Sequence, residues 1–185
     1  PVTYTYTYEF TEYPPPSWAL VYSVWGSYTD YPTSMGVSPD GLYVEDGSTS
    51  IDVRLVFTYA LPHANQSYTA EVWFKPNVTD VSKDFKVTIA VGGDQTATKM
   101  YVAGYASLDA TLKVWYYDYP NSAVNTVATG TGTYTLSNNQ WYRLWVNVTW
   151  TGSGITVTVE LRNATGTTLL NLAGVELSGV YPIVG

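Results

Sequence analysis

The sequence contains no cysteine, one histidine and few charged residues. The absence of cysteine excludes disulfide bonds, thiolate zinc sites and a cysteine nucleophile. Any serine-histidine-aspartate triad would have to use the one histidine, His63, and no Gly-x-Ser-x-Gly motif accompanies it. We therefore interpret His63 as a loop residue and predict that the protein is not an enzyme.

Paired carboxylates are the remaining catalytic candidates, because two of them in a cleft can hydrolyse a glycosidic bond. Glu71, Glu160 and Asp52 point away from the predicted core, but no Glu-x-Asp-x-Glu pattern brings such groups together. We interpret Glu71 with Lys75, and Glu160 with Arg162, as solvated pairs on outer faces.

A calcium site is the metal site that the sequence could build, from the oxygens of Asp40, Asp46 and Asp52. Asp-Gly pairs are common at turns without a metal, and the spacing of a helix-loop-helix calcium site is absent. The sequence therefore predicts no metal site and no cofactor apart from attached glycans.

The scarcity of positive charge excludes nucleic acid as a partner. The net charge is −7, and the eight Lys and Arg residues are scattered singly, so no basic stripe could follow a phosphate backbone. The same balance gives no attraction to an anionic membrane surface. No apolar run reaches the roughly 18 residues of a transmembrane helix, so no membrane span is predicted in this chain.

The residues that are present favour β-structure. Tyrosine, tryptophan and threonine are abundant, 45% of the residues are hydrophobic, and no window repeats apolar residues at helical spacing. Alternating segments separated by Gly, Pro, Asn and Asp turns predict an all-β fold, an antiparallel jelly-roll-like β-sandwich with an N-terminal extension strand. The predicted strands are 18–25, 51–59, 68–74, 85–91, 100–105, 112–117, 131–136, 141–150, 155–161 and 167–172, with a hairpin at 35–44 and one or two brief strands at 175–184.

The first ten residues form the clearest strand. One face carries Val2, Tyr4, Tyr6, Tyr8 and Phe10. Pro14, Pro15 and Pro16 follow as a stiff spacer, so we divide the chain into a donor strand (1–12), a Pro-rich linker (13–17) and a sandwich domain (18–185). The strand either completes its own sandwich or adds to the sheet of a neighbouring copy, where burial would contribute about 8 to 15 kcal/mol before association costs.

Four Asn-x-Ser/Thr sequons indicate N-linked glycans. They begin at Asn65, Asn77, Asn147 and Asn163. Three of them, all except Asn147, lie at predicted turns or strand ends, where a glycan would be accessible. We therefore expect an extracellular, cell-surface protein.

Two strand patterns resemble concanavalin A-like sandwiches of the LamG type. Residues 68–76 contain Glu-x-Trp-x-Lys-Pro, and residues 139–159 contain a Trp-Tyr strand, a Gly-Ser-Gly loop and a returning strand. The resemblance implies the fold and no activity. Aromatic residues opposite the aliphatic faces indicate an alternative function, a secreted carbohydrate-binding LamG-like module, in which exposed aromatic rings stack on sugars. The candidate rings are Trp73, Trp115, Tyr117, Trp141 and Trp145.

The overall arrangement resembles the subunits of archaeal thread-type surface filaments, which polymerise by donor-strand complementation. The features shared are an all-β domain with sequons, no cysteine and an alternating strand at its head. The resemblance implies that Val2, Tyr4, Tyr6, Tyr8 and Phe10 enter the next identical subunit, giving a head-to-tail homopolymer. Our leading hypothesis is therefore a structural subunit of an extracellular filament.

Overall fold

The structure, a computed structural model, describes residues 21–25, 34–39, 41–45, 52–56, 65–78, 85–106 and 109–182. The chain divides into two compact units, Pro1–Tyr59 and Ala60–Gly185. The predicted donor strand and Pro-rich linker lie outside the described residues. The domain boundaries at residues 12 and 17 stay predictions.

The described part of the first unit consists of two antiparallel pairs. Strand β1 (Val21–Trp25) pairs with β4 (Asp52–Val56), and β2 (Ser34–Ser38) pairs with β3 (Gly41–Glu45). The β2–β3 hairpin turns between Ser38 and Gly41, which are paired, at the predicted Ser-Pro-Asp-Gly segment. In such a turn, proline restricts the backbone φ angle and glycine allows the chain to leave the turn.

The second unit contains a sandwich of two antiparallel sheets. The four-stranded sheet has the order β12-β11-β10-β5, and the five-stranded sheet has the order β13-β6-β7-β8-β9. This arrangement confirms the predicted all-β, antiparallel jelly-roll-like sandwich. The strands are β5 (Tyr68–Phe74), β6 (Lys86–Asp94), β7 (Lys99–Ala106), β8 (Thr111–Asp118), β9 (Ala123–Thr129), β10 (Tyr142–Trp150), β11 (Gly154–Asn163), β12 (Thr168–Ser178) and β13 (Val180–Pro182).

The core lies between these two sheets. The alternation that predicted the inner faces of β10 and β11 is confirmed, because every second residue of both strands is buried. The fully buried side chains include Leu112, Val114, Leu144, Val146, Val148, Ile155, Val157, Val159 and Leu161.

Among the described residues, no helix has the length and hydrophobicity that are needed to span a membrane.

Tyr68 joins the two sheets through its hydroxyl group. It lies on the inner side of β5, and its hydroxyl donates a hydrogen bond to the Val91 carbonyl of β6 at 3.1 Å. Burial raises the pKa of the Tyr68 phenol well above its ordinary value, because the charged form would lose its hydration. The neutral phenol is therefore the form that the fold requires.

The sequence prediction was wrong at 131–136, which is not a strand. Gly132 has a φ of 89°, and the backbone crosses the edge of the sandwich, where Tyr134 N–H donates to the Ala110 carbonyl at 2.8 Å. The Tyr105 hydroxyl also donates to the Tyr134 carbonyl. The missed strand is β9, whose small and polar residues give a weak alternation signal.

Strand β6 also runs further than predicted, through Gly92 to Asp94. A Cβ atom at Gly92 would lie 2.5 Å from Val180 Cγ1 and 2.8 Å from the Tyr181 carbonyl oxygen. The glycine is therefore required for the close approach of β13 and does not end the strand.

Candidate functional site

The outward side of β5, β10 and β11 carries an ordered array of aromatic and charged side chains. Strand β10 is central, so its outward residues Arg143, Trp145 and Asn147 each have a partner on both sides. Trp145 lies between Glu71 and Glu160, and Arg143 lies between Trp73 and Arg162. We call these six residues the outer aromatic face.

Trp73 offers the most accessible ring of this face, with 47% of its surface exposed. Its indole Nε1 donates a hydrogen bond to Glu71 Oε1 at 2.9 Å. The Arg143 guanidinium carbon lies 3.9 Å from the centroid of the Trp73 ring, so the guanidinium covers one side of it. The indole is thereby fixed in orientation, and about half of the residue's surface remains exposed to solvent.

Arg143 is held from several directions. Nη1 lies 3.9 Å from Glu71 Oε1, and Nη2 donates to the Ala164 carbonyl. Nε is buried without a hydrogen-bond partner within the described part of the chain. A buried N–H without a partner costs free energy, which the other contacts of Arg143 must offset.

Trp145 is arranged in the same way but is more covered. The Arg162 guanidinium carbon lies 4.2 Å from the Trp145 ring centroid, and Arg162 Nε donates to Glu160 Oε2 at 2.6 Å. Thr168 also donates to Glu160 Oε2 at 3.1 Å. Glu160 and Arg162 do form an ion pair, but their side chains are only 17% and 22% exposed, so the pair is less solvated than predicted. The pair holds the guanidinium over the ring.

An open depression lies at the end of the sandwich beside this face. Its volume is about 390 Å³. Trp141 forms one wall and also contacts Trp73, with ring centroids 6.4 Å apart and the planes at 68°. We call it the end depression, and its lining residues are Tyr134, Ser137, Gln140, Trp141, Tyr142, Asn163, Ala164 and Thr165.

Asn138 holds the two loops at this end together. Its Oδ1 accepts from Val78 N–H at 2.9 Å, and its Nδ2 donates to the Val78 carbonyl at 2.8 Å. The neighbouring Asn139 N–H donates to the Pro76 carbonyl at 2.8 Å. The side chain of Asn138 thus takes the place of a backbone partner and joins the two loops.

The five predicted aromatic rings do not form one platform. Trp115 and Tyr117 belong to β8 in the other sheet, and Trp115 is only 4% exposed. It lies in a row with Ala90 and Val102, which are also buried. The structure therefore brings together Trp73, Trp141 and Trp145 and leaves Trp115 unavailable for stacking.

The sequons occupy different surroundings. Asn65 and Asn77 are exposed in loops on either side of β5. Asn147 lies in the middle of β10, between Thr69 and Thr158. Asn163 ends β11, and its Oδ1 accepts three hydrogen bonds from the following turn. Glycosylation at Asn65, Asn77, Asn147 and Asn163 stays a prediction.

The structure does not describe the side chains of several other predicted candidates. His63, Asp40 and Asp46 lie outside the described residues, as do the donor-strand residues, and only the backbone of Asp52 is described. Within the described ranges, no three His, Cys, Asp or Glu side chains come together in a possible metal site. The carboxylate of Asp94 lies in a turn, where it accepts hydrogen bonds from the hydroxyls of Thr96 and Thr98. These hydrogen bonds lower the pKa of Asp94 well below its ordinary value.

Comparison with known proteins finds a distant structural similarity. No known protein family matches the chain, and none of the curated proteins does. Among solved structures, the chain is similar to the carbohydrate-binding module CBM66 from Bacillus subtilis, with 11% identity and a TM-score of 0.46. The alignment covers 90% of this chain and 92% of that chain. Similarity of this degree carries no argument about function.

Proposed function

We propose that the protein is a non-catalytic carbohydrate-binding protein and that its ligand lies on the outer aromatic face. The observation that carries this proposal is the half-exposed indole of Trp73, fixed in orientation by Arg143 and Glu71. Sugars have apolar C–H faces that stack on aromatic rings and hydroxyl groups that bond to carboxylates and guanidinium groups. On the outer aromatic face, an aromatic ring lies next to both a carboxylate and a guanidinium group.

The rigidity of the face favours binding. Its two aromatic side chains project from hydrogen-bonded strands, and both are stacked under guanidinium groups. Little rotamer freedom therefore remains to be lost when a ligand binds, which lowers the entropic cost of binding.

The shape of the face favours an oligosaccharide over a single sugar. A flat sheet surface contacts only one side of a sugar ring, so several units are needed for useful affinity. Trp73 and Trp145 are diagonal neighbours on adjacent strands, about 7–8 Å apart at the backbone. A chain of sugar units could lie across both positions.

The test is a glycan array followed by titration of the best ligand. We expect Trp73→Ala to weaken binding at least about tenfold, which corresponds to about 1.4 kcal/mol. The matched control is Tyr119→Ala, because Tyr119 also carries an exposed aromatic ring, is 51% exposed and follows β8 in the other sheet.

Two outcomes would overturn the proposal. One is that no glycan on the array binds. The other is that Trp73→Ala and Tyr119→Ala leave the affinity equally unchanged, since the ligand would then lie elsewhere.

A second candidate function is the filament subunit, with strand 2–10 donated to the next copy at the cell surface. Strand β9 is the last strand of its sheet among the described strands, and its seven residues include no charged residue and no proline. Val124 and Val127 are exposed on it. Natural edge strands are usually protected by charge or proline, so an edge of this kind favours addition of another strand.

Deletion of residues 1–12 tests this candidate directly. We expect the shortened protein to remain in monomeric form and to bind a synthetic copy of residues 1–12. In the full chain, Tyr6→Asp should prevent assembly, whereas Thr5→Asp on the other face of the strand should be tolerated. Filaments formed by the shortened protein, seen by negative-stain imaging, would rule the candidate out.

A further inference from the structure

We propose that Asn163 is glycosylated and that the first sugars of its glycan lie in the end depression. Asn163 is half-buried and lines the depression together with Thr165, the third residue of its sequon. The modification joins an oligosaccharide to the side-chain amide nitrogen. This inference is independent of the carbohydrate-binding function, which concerns the outer aromatic face.

The hydrogen bonds of Asn163 leave its nitrogen available. Oδ1 accepts from Thr165 N–H at 3.1 Å, from the Thr165 hydroxyl at 2.8 Å and from Thr167 N–H at 2.9 Å. In glycosylation, Nδ2 forms a bond to the anomeric carbon of an activated, phosphate-linked oligosaccharide supplied by a transferase. The phosphate leaves with the electrons of the broken C–O bond, and one amide proton is released. The oxygen keeps its role as an acceptor, so the turn tolerates the modification.

The end depression has the lining that a sugar requires. Trp141 provides an aromatic wall, and Ser137 and Gln140 provide polar groups near it. Its volume of about 390 Å³ falls in the range of small-molecule sites. A glycan starting at Asn163 would pack its first rings against Trp141 and be held close to the protein.

Asn147 is the sequon to which Asn163 should be compared. Its strand, β10, is hydrogen-bonded to β5 on one side and to β11 on the other. The sequon therefore cannot bend into a transferase without breaking the sheet, and a glycan there would lie over the neighbouring Trp145. We infer that Asn147 is unmodified in the folded protein.

Glycopeptide mass spectrometry of protein from its native source tests the assignment. We expect peptides with Asn163 to carry glycan and peptides with Asn147 to carry none. In a host where the wild-type pattern is reproduced, Thr165→Ala should remove the mass of one glycan, and the matched variant Thr149→Ala should leave the mass of the attached glycans unchanged. Unmodified Asn163, or equal modification of both residues, would overturn the assignment.

The location of the sugars has a separate test. We expect exoglycosidases to trim the Asn163 glycan about three to ten times faster in Trp141→Ala than in wild type, because stacking on the indole is lost. Tyr119→Ala is the control for removal of an exposed ring. Equal trimming rates in the two variants would show that the glycan does not lie against Trp141.

Discussion

The outer faces of the two sheets each carry a tryptophan on a central strand, but the two tryptophans have different surroundings. In one sheet, Trp145 lies between Glu71 and Glu160. In the other, Trp115 lies in a row with Val102 and Ala90 and is 4% exposed. Trp145 is thus part of a partly exposed polar surface, whereas Trp115 is part of a buried apolar cluster.

This difference gives each face its own physical role. Burial of apolar area stabilises the fold in proportion to the area removed from water, and Trp115 has almost no area left to expose. The rings of the outer aromatic face keep part of their area in solvent and stack under guanidinium groups instead. One face should therefore contribute chiefly to stability and the other to recognition.

The largest expected difference is in stability. We predict that Trp115→Ala lowers the free energy of unfolding by about 3–5 kcal/mol, because it leaves a cavity among Ala90 and Val102. Trp73→Ala should cost less than about 1 kcal/mol, since its ring is half-exposed. Urea unfolding followed by circular dichroism measures both. Equal losses would mean that the two faces do not differ as described.

Alkaline pH should affect the interior beneath the outer aromatic face. The pKa of Tyr68 is raised in the folded state by burial, so the unfolded chain loses this proton first, near pH 10. The contribution of Tyr68 to stability is present below about pH 10 and falls as the pH rises above it. Tyr68→Phe should make this fall less steep and Tyr119→Phe should not, as urea unfolding between pH 8 and about pH 11 would show. An unchanged slope in Tyr68→Phe would contradict the prediction.

Solvent access should distinguish the rings without any substitution. In hydroxyl-radical footprinting, we expect Trp73 to be oxidised faster than Trp115, in the order of their exposed fractions of 47% and 4%. Peptide mass spectrometry reports each site separately. Similar oxidation rates would show that Trp115 is accessible and could take part in binding.

The smallest expected effect is the stacking of Arg162 on Trp145. A double-mutant cycle with Arg162→Ala and Trp145→Ala should give a coupling energy of about 0.5–1 kcal/mol. A cycle of Arg162→Ala with Trp73→Ala is the control, and its effects should add within about 0.5 kcal/mol. Equal coupling in the two cycles would mean that the stacked geometry contributes nothing specific.

Local alternation was sufficient to predict the faces of the main strands. The inward positions of β10 and β11 follow from a period of two, as does the outward position of Trp73 on β5. Strand β9 was missed because its alternation consists of Ala, Val, Asn and Thr, which differ little in hydrophobicity. A short weakly apolar edge strand is defined by its neighbour in the sheet more than by its own sequence.

Local alternation could not show which of the aromatic rings belong to the candidate site. Trp115 and Trp145 both lie opposite aliphatic residues along their strands, so the sequence does not separate the buried ring from the accessible one. Their environments depend on strand pairing between distant segments, such as β5 with β10. The contact of Asn138 with Val78 spans 60 positions and has no local signal.

The bonds of Asn138 have an evolutionary consequence. Because one amide side chain supplies both a donor and an acceptor to Val78, the loops at this end keep their shape without help from the residues that face outward. Those residues are then free to vary while the scaffold beneath them is preserved. We expect related chains that retain this asparagine to diversify here first, as antibody loops diversify on a constant framework.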